Sequence, residues 1–252
     1  MSFASLTAAL RTFAAISVVA VYVLLLGPPC ILWTLISRDA RFIYAAGGLG
    51  VQIGFGLAGI HVRVVGAEHI QRQSAAVYAA NHSSNIEPPA LFISLAALFP
   101  RLRIVYKAEL RKIPVLVWVF DVAGFVPIER ANRNQSLPAV DRATEALRAG
   151  HSFLVFPEGT RSRDGQLLPF KNAPFGLAIA AQVAVVPVYV ANTFEILPKG
   201  RFFLRPRPIR IVIGDPISTA GMTVERRQEL RDRVHAAILA LKARVDAEGA
   251  AR

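Results

Sequence analysis

Val77-Tyr78-Ala79-Ala80-Asn81-His82-Ser83-Ser84-Asn85-Ile86-Glu87-Pro88-Pro89 is the stretch on which the fold turns. A short apolar run ends abruptly in polar residues, and Asn81, Ser83, Ser84 and Asn85 favour a turn. Pro88 biases Glu87 away from helix. Beyond the prolines, Ile86–Phe99 reads as helical. Strand, polar turn and helix in succession form the repeating unit of an α/β domain.

The alternation continues on both sides. His61–Val65, Ala75–Ala80, Arg103–Tyr106, Phe125–Ile128, Ser152–Phe156, Val183–Val190 and Ile209–Ile213 read as strands. Helices are expected at Pro114–Val122, at Ser136–Ala149 with Gly150 as its stop, and at Ala173–Gln182. A last helix runs from Val224 to Glu248, with Thr223 as its N-cap and Leu230, Val234, Ile238, Leu241 and Val245 as its apolar stripe. Residues 61–252 should therefore form an α/β domain with a mixed, largely parallel sheet flanked by helices.

Upstream the composition changes. Residues 12–37 hold no charge and are bracketed by Arg11 and Arg38. A run of that length can cross a bilayer as a helix. Pro28 and Pro29 should kink or break it. A second uncharged run, 42–60, carries Gly50 and Gly54 at helix-packing spacing. Residues 1–60 thus read as an N-terminal hydrophobic two-helix membrane anchor, with two buried helices of a soluble core as the alternative. Arg11, Arg38 and Arg41 give a conflicting vote for two full spans, which favours a re-entrant hairpin with the basic domain on the cytoplasmic leaflet.

The chain is 54% hydrophobic and carries a net charge of +12. An anionic membrane accounts for both features. Nucleic acid would account for the charge alone, and no zinc-finger spacing or aromatic RNA-binding signature accompanies it. Cys30 is the one cysteine, so no intrachain disulfide can form.

Three constellations carry chemistry. His82 and Glu87 lie at a strand's C-terminal end, and a carboxylate across a turn can orient a histidine base; two unpaired surface residues of a polar loop are the alternative, and the commoner case. Phe156-Pro157-Glu158-Gly159-Thr160-Arg161-Ser162 also follows a strand; glycine lets backbone N–H groups approach a ligand, and Arg161 suits a phosphate. A polar turn with a Glu158–Arg161 ion pair is the equal alternative. Lys107 and Gly124-Phe125-Val126-Pro127-Ile128-Glu129-Arg130 place cations after short extended runs, and alone they read as a solvated basic face. No Gly-x-Ser-x-Gly elbow supports a serine esterase. The five histidines are too scattered for a zinc site, and Gly48, Gly50 and Gly54 have the wrong spacing for a dinucleotide loop.

Asn81-His82 with Glu87, then 124–130, then 156–162, then Val185-Val186-Pro187-Val188 resemble the four ordered blocks of the glycerolipid acyltransferase family, in its 1-acylglycerol-3-phosphate acyltransferase form. The resemblance covers roughly residues 60–215 and includes Lys107-Ala108-Glu109-Leu110. It implies that His82 is the base and Glu87 its partner. It implies that Lys107, Arg130, Glu158, Gly159, Thr160 and Arg161 bind the acceptor's phosphate end, and that Pro187 shapes the acceptor or acyl site. It implies no metal and no cofactor. The co-substrate would be acyl-coenzyme A or acyl-acyl-carrier protein, and the setting would be the lipids of the inner (plasma) membrane at its cytoplasmic face. Glu87 stands where the family usually has Asp, which opens other lysolipid acceptors, or an inactive lipid-binding protein, as alternatives.

Overall fold

The structure is a computed structural model that describes residues 3–113, 115–128 and 136–250. Two helices come first, α1 (Phe3–Ser37) and α2 (Arg41–Ala58). The strands are β1 (Val62–Val65), β2 (Ala76–Ala80), β3 (Leu102–Lys107), β4 (Val126–Ile128), β5 (Ser152–Val155), β6 (Ala184–Ala191) and β7 (Ile209–Ile213). Between and after them run α3 (Glu87–Ser94), α4 (Leu116–Val122), α5 (Ser136–Arg148), α6 (Ala173–Ala181), α7 (Thr193–Ile196) and α8 (Arg227–Ala250). The seven strands form one sheet in the order β1-β7-β6-β2-β5-β3-β4. Every pairing is parallel except β6 with β7. The sheet is thus mixed and largely parallel, as the alternation of elements predicts.

Side-chain alternation splits the core in two. Ala76, Tyr78 and Ala80 of β2 face a cluster shared with α2, α3 and part of α1. Val77 and Ala79 face the opposite cluster with α5, α6 and α8. All five residues of β2 are buried, as expected of a strand covered on both faces. The expected stripe on α8 packs here through Leu230, Val234 and Ile238. Thr223 has extended backbone but makes no side-chain cap bond, and a short 3-10 turn, Val224–Arg226, precedes α8. Glu87 is helical despite Pro88, because the proline falls in the first turn of α3, where its missing N–H leaves no bond unmade.

α1 and α2 form an antiparallel hairpin. An added Cβ on Gly50 would lie 2.9 Å from the Tyr22 ring, and one on Gly54 would lie 2.9 Å from a Val19 methyl. These two positions let the helices approach closely, as their spacing suggested. Helix α1 continues through Pro28 and Pro29 rather than breaking there. Among the described helices, Leu6–Ser37 alone is long and apolar enough to cross a membrane. The expectation of two such helices therefore holds for one. α2 instead buries Ile43, Tyr44, Phe55 and Ala58 in the domain core.

Tyr44 fastens α2 to the sheet. Its hydroxyl contacts the carbonyl of Leu102, donates toward that of Ala123 at 3.0 Å and accepts from Arg103 at 2.8 Å. Tyr44→Phe should lower stability by about 1–3 kcal/mol, because buried partners lose their bond. The midpoint of thermal unfolding in detergent would report it, and an unchanged midpoint would show that the hydroxyl is dispensable.

Candidate active site

Parallel neighbours send their C-terminal loops out of the same sheet edge. Ala79 pairs with Val155, so Asn81-His82 after β2 and Phe156–Arg161 after β5 emerge side by side. β6 lies on the other flank of β2, with Ala80 opposite Val188, and delivers Thr193 to the same edge. The side chain of Asn81 extends this join: its amide donates to the Val190 carbonyl at 3.0 Å, and its oxygen accepts from the Val190 N–H at 2.7 Å.

His82 Nδ1 lies 2.7 Å from Glu87 Oε2. The Glu87 side chain is 0% exposed. Its carboxylate also accepts from the Ser83 N–H at 2.9 and 3.0 Å, the Ser83 hydroxyl at 2.8 Å, the Ser84 N–H at 3.2 Å and the Thr193 hydroxyl at 2.6 Å. An acceptor so placed fixes Nδ1 as the donor and leaves Nε2 with its lone pair. The imidazole also stacks on Phe156, with centroids 4.2 Å apart. The ring is thus held at Nδ1 and on its face. The longer side chain of Glu87 causes no looseness in the pair.

Glu158 is buried, and its carboxylate is turned inward. Oε1 accepts from the His82 N–H at 2.6 Å and Oε2 from the Leu168 N–H at 3.1 Å. The His82 carbonyl in turn accepts from the Ser162 N–H at 2.8 Å. The 156–162 loop therefore grips the histidine by its backbone on both sides. The Glu158–Arg161 ion pair weighed from sequence is not among the ion pairs of the described residues. Gly159 has φ +72°, in the left-handed region, and the Lys171 side chain passes over it. Lys199 donates to the Thr160 hydroxyl and to the Arg161 carbonyl, both at 3.3 Å.

The profile of the Acyltransferase family matches residues 61–191. This chain belongs to that family. The acyltransferase is 32% identical over 178 residues to the 1-acyl-sn-glycerol-3-phosphate acyltransferase of Limnanthes douglasii, covering 70% of this chain and 62% of the relative. It is 29% identical over 195 residues to the alpha form from Mus musculus, covering 77% of this chain and 67% of that one. The crystal structure of the 1-acyl-sn-glycerophosphate acyltransferase PlsC from Thermotoga maritima superposes with a TM-score of 0.79 at 28% identity, covering 92% of this chain and 94% of that chain.

Of the residues singled out from sequence, the acyltransferase brings His82, Glu87, Glu158, Gly159, Thr160 and Arg161 together. A narrow cleft at His82 is walled by Asn81, Ser83, Glu158, Gln166 and Leu167, with Tyr189 from β6 and Ile238 and Lys242 from α8. Lys107 ends β3 at the same sheet edge, two strands from His82, and pairs with Glu109 at 2.9 Å. Pro187 is buried within β6 against Gly214 and Leu241 and does not line this cleft. Arg130 falls outside the described residues. Three contributors were not assigned from sequence. Thr193 reaches Glu87 from 106 positions away, Phe156 supports the ring, and Lys199 adds a cation to the glycine turn. Among the described residues, no three His, Cys, Asp or Glu side chains gather to hold a metal.

Burial pushes the Glu158 carboxyl up to about 7; the Glu87 charge adds to the rise, and the His82 and Leu168 N–H groups oppose it. The folded value thus exceeds the ordinary one of 4.5. Protonation then favours the folded state. That stabilisation is complete below the unfolded value and is lost as pH rises through about 7. Wild type should lose stability relative to Glu158→Gln between about pH 5 and pH 8. Thermal unfolding of both across that range tests this, and parallel curves would show that Glu158 does not titrate there.

Proposed function

We propose that this chain moves a fatty acyl group from an acyl thioester to the free hydroxyl of lysophosphatidate, forming phosphatidate. The observation that carries the reading is the buried Glu87 cage around Nδ1 of His82, beside a cationic glycine turn. In the reaction, Nε2 of His82 takes the proton of the acceptor hydroxyl. The oxygen attacks the thioester carbonyl carbon, the carbon–sulfur bond breaks, and the leaving thiolate takes the proton back from Nε2. The acyl group passes directly between substrates, with no covalent enzyme intermediate. Glu87 orients the ring and stabilises the imidazolium.

Arg161, with Lys107 and Arg130, would hold the acceptor's phosphate, and Gly159 and Thr160 would shape the turn beside it. Glu158 would act through the backbone of His82 rather than on the phosphate. The relatives' names supply the acceptor, and the cationic turn suits its phosphate monoester. Acyl-coenzyme A and acyl carrier protein are both acidic donors that fit a chain of charge +12.

The same proposal places the enzyme at a membrane, with 1–60 as the attachment and 61–252 as the acyltransferase domain on the cytoplasmic face. Helix α1 exposes Leu10, Phe13, Leu24, Leu25, Leu35 and Ile36. The domain touches α1 both at Thr12, through Leu204, and at Gly27, through Val115. That interval is about 22 Å of helix at 1.5 Å per residue. α1 therefore lies along the domain over much of its length, which supports a hairpin seated in one leaflet over a helix standing clear.

His82→Ala should reduce lysophosphatidate-dependent thiol release from palmitoyl-coenzyme A by about 10²–10⁴-fold. Release equal to wild type would overturn the role of His82. Wild-type protein that releases no thiol with either donor, for any lysophospholipid, would overturn the activity. Arg161→Ala should mainly raise KM for lysophosphatidate and erase the preference over phosphate-free acceptors. A wild type that shows no such preference would remove Arg161 from phosphate binding.

A further inference from the structure

Beyond Lys199, the rest of the segment that joins α7 to β7 holds Arg201-Phe202-Phe203-Leu204-Arg205-Pro206-Arg207-Pro208. It has no part in the chemistry described above. Phe202 is 83% exposed and Phe203 is 56% exposed. Arg201, Arg205 and Arg207 are exposed around them. The arginines in ion pairs among the described residues are others: Arg41, Arg111, Arg210, Arg226, Arg231 and Arg244. Two aromatic rings in water, ringed by unpaired guanidiniums, are a poor surface for a soluble protein. Contiguous exposed apolar groups with a polar rim mark a contact site.

The loop is held in place. The Leu204 N–H donates to the Thr12 hydroxyl of α1 at 2.9 Å. Pro206 packs at Gly59, just past α2, beside the Arg11 guanidinium. The Arg205 N–H donates to the Ile196 carbonyl at 2.9 Å. Leu6, Leu10 and Phe13, which flank Thr12 on α1, are exposed apolar residues themselves. Wherever this part of α1 meets lipid, the loop is brought to the same level.

We infer that residues 201–207 form a second membrane contact, in which Phe202 and Phe203 enter the headgroup boundary and Arg201, Arg205 and Arg207 engage anionic lipid headgroups. Apolar rings with basic flanks match the two components of interfacial binding, burial of apolar area and attraction to anionic lipid. An acidic protein such as a carrier would match the arginines but not two aromatic rings continuous with an apolar helix. The inference rests on the membrane reading of α1 and is independent of the acyl-transfer chemistry.

The test uses the full chain with Phe202→Cys, carrying an environment-sensitive fluorophore. Cys30 is buried and stays in place. A label at Glu225→Cys, on an exposed turn, serves as the aqueous reference. Both proteins are reconstituted in phosphatidylcholine vesicles with and without phosphatidylglycerol. The label at 202 should shift to the blue, be quenched by spin-labelled acyl chains and be shielded from iodide, most strongly with phosphatidylglycerol. Replacing Arg201, Arg205 and Arg207 together by Gln should remove the dependence on anionic lipid. A label at 202 as open to iodide as the one at 225, on vesicle-bound and active protein, would overturn the loop contact alone. Shielding by an acidic carrier protein but not by vesicles would overturn it as well. Protein that does not bind vesicles at all would overturn the membrane reading of α1 together with the loop contact.

Discussion

The Glu87 carboxylate lies fully buried where the loop after β2, the start of α3 and the start of α7 meet, and donors from His82, Ser83, Ser84 and Thr193 converge on it. A buried carboxylate without partners is destabilising by several kcal/mol. One with charge-assisted bonds, each worth about 1.5–3 kcal/mol, can be held in place. The group that orients His82 therefore also ties three segments together. Ser84 adds to the tie by donating to the Leu197 carbonyl at 2.8 Å. Changes in the loop beyond α7 are in this way coupled to the histidine without touching it.

A second carboxylate does comparable work on the backbone. Glu158 receives the His82 N–H, while Ser162 donates to the His82 carbonyl. These bonds join the ends of β2 and β5, which the register already places side by side. The imidazole is thus constrained at its backbone by one loop, at Nδ1 by Glu87 and on its face by Phe156. What stays free is Nε2, the atom a general base needs. Two acidic residues that look alike in a motif have separate tasks, one on the side chain and one on the main chain of the same histidine.

Much of this was legible in the sequence. The strand alternation and turn residues carried the α/β class and all seven strands of the sheet, because local pattern determines them. The turn formers Ser83, Ser84 and Asn85 made a His82–Glu87 pair possible, but only the family resemblance favoured it over two unpaired surface residues. The resemblance points Glu158 toward the phosphate, yet its direction depends on where the loop after β2 lies, a long-range fact. Thr193 and Lys199 left no local signal; only the sheet order brings them near residues more than thirty positions away. Pro187 belongs to a recognisable block and shares the face of β6 with Tyr189, but it sits two residues earlier in the strand, beside Gly214, and is not among the residues that wall the cleft. α2 reads as a membrane helix by its lack of charge, but Ile43, Tyr44, Phe55 and Ala58 are engaged by the domain core, while Phe42, Leu49 and Leu57 stay exposed.

The hairpin and the sheet share one core, and this has a mechanical consequence. Tyr44 binds the start of β3 and the residue just past α4, while Leu204 binds α1 from the loop that begins at α7. α7 also carries Thr193 to Glu87. The chain of contacts from α1 to His82 therefore passes through short, hydrogen-bonded segments, with no long flexible tether between them. A tethered domain would sample many heights above a bilayer. If α1 lies in the bilayer as proposed, a domain docked against it would keep one height and one tilt. For an acceptor whose tail stays among lipids and whose reactive hydroxyl lies near the headgroups, the position of His82 along the membrane normal matters as much as its basicity. In the membrane setting proposed above, the same contacts that stabilise the fold would fix that position.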